Sequence, residues 1–271
     1  MFRTAIAFAS LFLLGSCAGT PSVSPQARSE LAPMGKLRVA INYGNPLFAK
    51  REAGGESSGI VIDLARELGR RIGTPVEFLA FDSGGQLTAG LQKGGWDIAF
   101  MAYEPARETE VAFAGAFAEI DSTYLVPAGS ALRNAAEVDR EGVRVAVSAG
   151  GGNDLFLSRT LKRAQLVRAT GSAATLQMFI TDKVEALAGL KPTLIEQSAK
   201  LPGSRVLDGR YTVIPYSAGT ARGRDAGSRY LRDFIEDTKA SGFVARSIEK
   251  NGIRGVSVPL PAPTVQMGGG M

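Results

Sequence analysis

From residue 37 onward the hydrophobic and polar positions follow regular patterns, first a strand-like alternation and then a helical spacing. Leu37, Val39 and Ile41 alternate with polar or small residues, which predicts a strand. Leu64 and Leu68 then recur at a spacing of four among charged residues, which predicts an amphipathic helix. The predicted elements of this half are strand 37–43, helix 63–72, strand 75–81, helix 86–93 and strand 97–102. This order predicts a parallel sheet with helices on its faces.

The same order of elements occurs a second time. The predicted elements of this half are strand 143–148, helix 153–162, strand 165–169, helix 172–180 and strand 184–189. Strands 122–126 and 211–217 connect the halves, and a long helix is predicted over 225–240. The predicted fold is therefore α/β and two-lobed, with two parallel-rich sheets flanked by helices and a hinge of two strands. We expect the ligand in the cleft between the lobes, beyond the carboxyl ends of the strands.

Composition and charge narrow the possible chemistry. The 271 residues are 45% hydrophobic and 21% charged, which indicates a globular protein. With no histidine and one cysteine, His-dependent catalysis and His- or thiolate-ligated metal clusters are excluded, and we expect neither metal nor cofactor. The 31 basic and 26 acidic residues are intermixed, and the net charge of +5 favours solubility over nucleic-acid binding. We expect a monomer.

The N-terminus has the form of an export signal. Arg3 precedes an apolar run over residues 5–14, which is too short for a transmembrane helix of about 20 residues. Cys17 directly follows small residues at the end of this run, as in the lipobox of bacterial lipoproteins, so we expect 1–16 to be removed and Cys17 to be acylated. The alternative is a free thiol. We expect a flexible tether over 17–35 and a disordered tail over 257–271 because both are rich in small residues, proline or glycine.

Several segments resemble the extracellular solute-binding proteins of ABC importers, in particular the polar amino-acid receptor family. The resemblance spans about 36–252 and is carried by segments 36–40, 59–65, 91–98 and 105–113, by the crossover at 124–127, and by 230–243 near the end. It implies a first lobe over 36–125, a second over 126–215 and a return to the first over 216–256. It also implies a periplasmic or cell-surface receptor that delivers a small carboxylate-bearing solute to an ABC permease in the membrane.

The resemblance assigns the expected ligand contacts. Arg107 occupies the position of an arginine that binds the ligand carboxylate, for which a guanidinium is geometrically suited. The alternative is a surface pair with Glu104. Gly151, Gly152 and Asn153 lie in a turn between a strand and a helix, whose free N–H groups would bind the same carboxylate; the alternative is a flexible turn capped by Asn153.

The sequence departs from the family pattern at the position that would bind the ligand's amino group. Leu190 stands where amino-acid receptors of the family carry an aspartate for the ligand ammonium, so a standard α-amino acid held in the standard way is doubtful. Asp121 and Tyr103 are candidate replacements for that contact. Asn42 and Tyr43 are candidate contacts at the carboxyl end of the first strand, with ordinary loop packing as the alternative.

Two other functions stay open at this stage. Some proteins of this fold are enzymes of the cyclohexadienyl dehydratase type, although the sequence shows no paired acid and base here. A receptor-like protein that has lost its ligand and serves the assembly of an exported enzyme system is the other alternative. The binding function is the one we expect, without enzymatic activity.

Overall fold

The computed structural model describes residues 23–260. The predicted signal peptide and Cys17 lie outside the described residues, as does the part of the predicted tail after residue 260. Within residues 23–260, no helix is long and apolar enough to cross a membrane.

Eight helices and twelve strands are present in the described part of the chain. The helices are α1 Pro25–Leu31, α2 Ile60–Ile72, α3 Gly84–Gln92, α4 Gly152–Thr160, α5 Gly171–Thr181, α6 Lys191–Ser198, α7 Asp225–Ala240 and α8 Phe243–Lys250. The strands are β1 Leu37–Asn42, β2 Lys50–Arg51, β3 Ser57–Ser58, β4 Val76–Phe81, β5 Ile98–Ala102, β6 Val111–Val126, β7 Arg144–Ser148, β8 Gln165–Ala169, β9 Ala186–Leu190, β10 Arg205–Val206, β11 Thr212–Ala221 and β12 Val256–Ser257. The thirteen elements predicted from the pattern are all present, with boundaries shifted by a few residues except in β6 and β11, which are longer than predicted.

Ten of the twelve described strands form one large mixed sheet, which corrects the expectation of two parallel-rich sheets, and β2 and β3 form a small separate pair. The order of the large sheet is β4-β1-β5-β11-β6-β9-β7-β8, and β10 and β12 add to β6. The first part of β6 pairs with β11, and its last residues, from Ser122 to Leu125, pair with β9. Since β6 is 16 residues long, it belongs to both halves and makes the sheet continuous. The predicted boundaries at 125 and 215 both fall inside these two shared strands.

Two lobes nevertheless pack around separate apolar clusters. We define the first lobe as β1, β4 and β5 with α1, α2, α3, α7 and α8, and the second lobe as β7, β8, β9 and β10 with α4, α5 and α6. In the first lobe, Leu64 and Leu68 of α2 are fully buried against the sheet, and Gly73 ends the helix in the left-handed conformation. In the second lobe, Val145 and Val147 of β7 pack with Leu157 of α4. Parallel pairing of β1 with β4 and of β7 with β8 directs the carboxyl ends of the strands toward the junction of the lobes.

The segment predicted as a flexible tether contains a packed helix. Ser24 caps α1 by accepting a hydrogen bond from the Ala27 backbone N–H at 3.1 Å, and Pro25 fixes the first turn. Leu31 is completely buried, and Glu30 Oε2 accepts a hydrogen bond from the Gly227 N–H of α7 at 2.8 Å. The tether prediction is therefore wrong for Pro25–Leu31. This short segment forms a capped helix whose apolar side packs against α7.

The predicted C-terminal tail also begins too early. Ser257 lies in β12 and pairs with Glu119 of β6. Part of one edge of β6 is available to pair with this short strand. Amino-acid composition alone does not predict such a pairing.

Candidate functional site

The junction of the lobes encloses a narrow cleft, which we call the interlobe cleft. Its main cavity is about 100 Å³. A smaller cavity of about 50 Å³ adjoins it on the side of the first lobe and shares Asn42, Asn45 and Tyr216 with it. The main cavity is lined by Asn42, Gly44, Asn45, Gly84, Ser148, Gly151, Gly152, Asn153, Ser172, Thr175, Leu187, Ala188, Gly189, Leu190, Thr193, Leu194, Gln197 and Tyr216.

Arg107 lies in the wall of the smaller cavity. It follows β5 in a 3-10 turn and is only 3% exposed. One terminal nitrogen donates to the Ala102 carbonyl at 2.6 Å, and the other donates across the cleft to the Gly150 carbonyl at 2.7 Å. Its Nε is buried without a hydrogen-bond partner. Burial lowers the pKa of the guanidinium from its ordinary value, but arginine stays charged in proteins.

The surface pair between Arg107 and Glu104, the alternative to a ligand contact, does not form. Glu104 is 2% exposed and forms an ion pair with Arg159 of α4, in the opposite lobe. Arg107 and Glu104 therefore each reach across the junction to a separate partner, and both contacts require the lobes to be close together.

The glycine-rich turn before α4 is ordered by its own contacts. Gly150 has φ +64°, and its N–H donates to Asp154 Oδ2 at 2.9 Å, while the Gly151 N–H donates to the Ser148 carbonyl at 3.1 Å. Gly151 and Gly152 line the main cavity as α4 begins. The N–H groups of Gly150 and Gly151 are thus already used within the turn. Contact of a carboxylate with the N–H groups of Gly152 and Asn153, at the start of α4, stays a prediction.

Asn153 does not cap the helix. Its Oδ1 accepts a hydrogen bond from the Tyr211 hydroxyl at 2.9 Å, and the residue forms part of the cleft wall. Tyr211 follows the second lobe's last short strand, so this bond fixes the start of α4 against the linking strand β11.

Glycines permit the close approach of the lobes. A Cβ on Gly150 would lie 2.6 Å from the Gly85 Cα of the first lobe, and a Cβ on Gly171 would lie 2.7 Å from the Asp82 carbonyl oxygen. The Ser172 N–H of the second lobe also donates to the Gly44 carbonyl of the first at 3.2 Å. The structure is therefore a closed arrangement in which backbone touches backbone beside the cleft.

The first-lobe wall contributes neutral polar groups. Asn45 Nδ2 donates to the Tyr216 hydroxyl at 3.1 Å, and Asn42 Oδ1 is buried without a partner. Burial raises the pKa of Tyr216 to about 12, so its hydroxyl keeps its proton and can donate. On the opposite wall, Gln197 Oε1 is likewise buried without a partner.

The cleft brings together five of the eight predicted binding residues: Arg107, Gly151, Gly152, Asn153 and Asn42. The other three lie elsewhere. The Tyr43 hydroxyl bonds the Ser57 hydroxyl at 2.5 Å, and the Tyr103 ring packs edge-on against Phe113.

Asp121 is also outside the cleft wall, where it pairs with Arg210 at 2.7 Å. Successive side chains of a strand point to opposite faces of the sheet, and the Asp121 side chain lies on the face of β6 where it meets the exposed Arg210. Neither Asp121 nor Tyr103 lines either cavity, so the closed structure does not support them as replacements for the family's aspartate.

Several lining residues had not been identified from the sequence. Ser172 and Thr193 follow the carboxyl ends of β8 and β9, where the rule for parallel sheets would have found them. Gln197 lies near the end of α6, about two helical turns after β9 ends, and no local sequence pattern identifies it as a cleft residue. Among residues 23–260, no group of three or more Asp, Glu, Cys or His side chains is arranged to hold a metal ion.

Comparison with solved structures identifies the class of fold. The solute receptor for L-cysteine of Neisseria gonorrhoeae is 18% identical, with a TM-score of 0.74 over 84% of this chain and 94% of that one. A binding component of an ABC transporter from Wolinella succinogenes, complexed with lysine, is 22% identical, with a TM-score of 0.70 over 80% and 95%. An ancestral amino acid-binding protein, a precursor of cyclohexadienyl dehydratase, is 23% identical, with a TM-score of 0.70 over 82% and 97%. The fold is that of the two-lobed type II periplasmic binding proteins.

The family follows from the sequence. Residues 37–252 match the model of the bacterial extracellular solute-binding proteins, family 3, and the chain belongs to that family. Its members are typically binding proteins rather than enzymes. No curated protein sequence matches the chain significantly.

Proposed function

We propose that this protein is the extracytoplasmic receptor of an ABC importer and closes its lobes around a small, amino-acid-like solute that bears a carboxylate. The observation that supports this proposal is the buried Arg107 in the wall of the interlobe cleft. Two solved relatives of the same fold are described as a receptor for L-cysteine and as an ABC-transporter component complexed with lysine. In such a receptor the ligand contacts both lobes and so raises the population of the closed state.

Arg107 is the group we assign to the carboxylate. In the closed structure its outer nitrogen donates to the Gly150 carbonyl, so a protein oxygen occupies part of the guanidinium's hydrogen-bonding edge. The Nε–H is left for another acceptor. A carboxylate would take the Nε–H and compete with Gly150 for the neighbouring nitrogen, since guanidinium and carboxylate pair bidentately.

We also propose that Cys17 is acylated and tethers the receptor to the membrane. The short apolar run followed by small residues and a single cysteine supports this assignment. Because α1 is folded against α7, the tether is shorter than the sequence alone predicted. Metabolic labelling with a fatty acid should mark the wild-type chain and leave Cys17→Ser unlabelled.

The test of the binding function is thermal unfolding of the full chain against millimolar amino acids, hydroxy acids, keto acids, dicarboxylates and amines. A ligand at about 100 times its Kd adds about 2.7 kcal/mol to the folded state. Carboxylates should raise the midpoint, Arg107→Ala should abolish the response, and Arg107→Lys should retain part of it because the charge is kept. Equal binding by Arg107→Ala would overturn the assignment of this residue, and a flat response to every compound would overturn the receptor function.

One observation favours a second function, in assembly. Both terminal nitrogens of Arg107 donate to protein carbonyls, as expected if this residue holds the lobes together instead of binding a carboxylate. In that case no compound of the panel would shift the midpoint, and the chain would co-purify with a protein partner.

A further inference from the structure

The interlobe cleft has two chemically different ends. At the smaller cavity, the cation of Arg107 presents one unpaired donor, Nε. In the main cavity, Asn42 and Gln197 present unpaired side-chain oxygens, which are acceptors. Asn42 lines both cavities and therefore connects the two ends. A ligand that satisfies these groups carries an acceptor at one end and a hydrogen-bond donor at the other.

The donor end meets no opposite charge. Among the described lining residues of both cavities, Arg107 is the one charged side chain, and none is Asp or Glu. Leu190, at the end of β9, is 6% exposed and gives the main cavity an apolar wall. An ammonium group buried here would lose its hydration without gaining a counter-charge, whereas a hydroxyl needs only an amide oxygen to replace its bond to water.

The volumes set the size of the ligand. The main cavity is about 100 Å³ and the adjoining one about 50 Å³. For comparison, a protein cavity of about 150 Å³ accepts benzene, which has about six non-hydrogen atoms. A three-carbon carboxylate with one further polar group is of this size.

We propose, building on the receptor function above, that the preferred ligand is a short 2-hydroxy carboxylate and not the 2-amino carboxylate of the same skeleton. The carboxylate lies toward Arg107, and the neutral hydroxyl donates to an amide oxygen of Asn42 or Gln197. Leu190 makes the distinction, because it leaves the main cavity without the negative charge that an ammonium requires.

The test compares three acids that differ in one group: lactate with a hydroxyl, alanine with an ammonium and propionate with neither. Both enantiomers of the first two are titrated into the full chain by calorimetry, together with the smaller pair glycolate and glycine. We expect a hydroxy acid to bind at least about tenfold more tightly than its amino partner and than propionate. Alanine or glycine binding as tightly as its hydroxy partner would overturn the proposal.

Variants at three positions locate the cause of this preference. Leu190→Asp should reverse the preference toward the amino acid, while Leu190→Asn, of similar shape but uncharged, should not. Asn42→Ala should reduce the ratio of lactate to propionate affinity toward one if Asn42 accepts the hydroxyl, and Gln197→Ala should do so if Gln197 accepts it. A ratio unchanged in both alanine variants would overturn the assigned contacts, and the wild-type titrations decide the ligand class even if Leu190→Asp does not fold.

The outcomes also separate this inference from the receptor function. Binding of carboxylates with amino acids preferred leaves the receptor function intact and removes the hydroxy-acid assignment. Binding of none of the acids in the thermal panel removes both.

Discussion

The two walls of the interlobe cleft are built differently. The first-lobe wall presents side-chain chemistry: Arg107, Asn42, Asn45 and Tyr216 all come from this side or from the shared strand β11. The second-lobe wall near the closure point is mostly backbone, because Gly150, Gly151 and Gly152 carry no side chain to separate the lobes. The difference indicates a division of labour: the first-lobe side chains, with Leu190 and Gln197 farther along the second-lobe wall, contact the ligand, whereas the glycine turn before α4 permits closure.

The largest effect on this division of labour is expected from one methyl group added to the glycine turn of the second lobe. Gly150→Ala places a Cβ 2.6 Å from the Gly85 Cα in the closed state only. Overpacking of this kind costs about 1–3 kcal/mol, so affinity for any cleft ligand should fall about fivefold or more. Calorimetric titration measures the loss.

The control for this variant is Gly129→Ala. Gly129 also has positive φ, at +75°, but nothing lies within 4 Å of its added Cβ. Both variants should lose about 1 kcal/mol of stability from backbone strain, and only Gly150→Ala should lose affinity. Equal affinities of the two variants would show that the contact with Gly85 has no part in binding.

A smaller effect is expected from the ion pair that spans the junction. Arg159→Ala leaves the Glu104 carboxylate without its partner where it is 3% exposed in the closed state, whereas separation of the lobes would hydrate it. Because Arg159 itself is 45% exposed, the pair is worth about 1 kcal/mol, which predicts affinity about fivefold weaker.

The matched control is Arg210→Ala. It breaks the surface pair with Asp121, outside the cleft, and should leave affinity unchanged. Weaker binding by Arg210→Ala would restore Asp121 as a residue that matters for the ligand.

The smallest expected effect on binding comes from acid, because the described residues that line the two cavities include no carboxylate. Acid should instead act on stability through Glu67 of α2. Hydrogen bonds from Arg70, and then from Arg71, lower the pKa of Glu67 from 4.5 to about 2. A lowered pKa means that the stabilisation is complete above pH 4.5 and is lost as the pH falls toward about 2.

Glu67→Gln should therefore flatten the loss of stability below pH 4.5, while Glu249→Gln, at an exposed site on α8, should not. Denaturant unfolding at several pH values measures the slope, and ligand affinity should stay constant between pH 5 and 8. A Glu67→Gln variant with the wild-type slope would contradict the assignment of the acid sensitivity to this residue.

Sequence reasoning predicted the regular elements well and the shared strands poorly. The alternation at Leu37–Asn42 and the helical spacing of Asp225–Ala240 depend on local burial, which the pattern records directly. The first ten residues of β6 contain many alanines and one glycine and show no clear alternation. They become a strand because β11 pairs with them along the whole length, so the prediction of two separate sheets was wrong.

The candidate site was likewise predictable only in part. Arg107 and the turn at Gly151 and Gly152 lie where strands of a parallel sheet end, which topology dictates. Gln197 was missed because only the packing of α6 beside the cleft brings its side chain there.

The sequence by itself determined the class of protein, the order of the elements, the absence of histidine chemistry and the apolar residue at position 190. Each of these depends on residue identity and local periodicity. The tertiary structure decided that Arg107 bonds to Gly150, that Glu104 pairs with Arg159 and that α1 packs on α7. These contacts join residues far apart in the chain. The first two form only when the lobes lie together, and the third forms only when the first lobe packs.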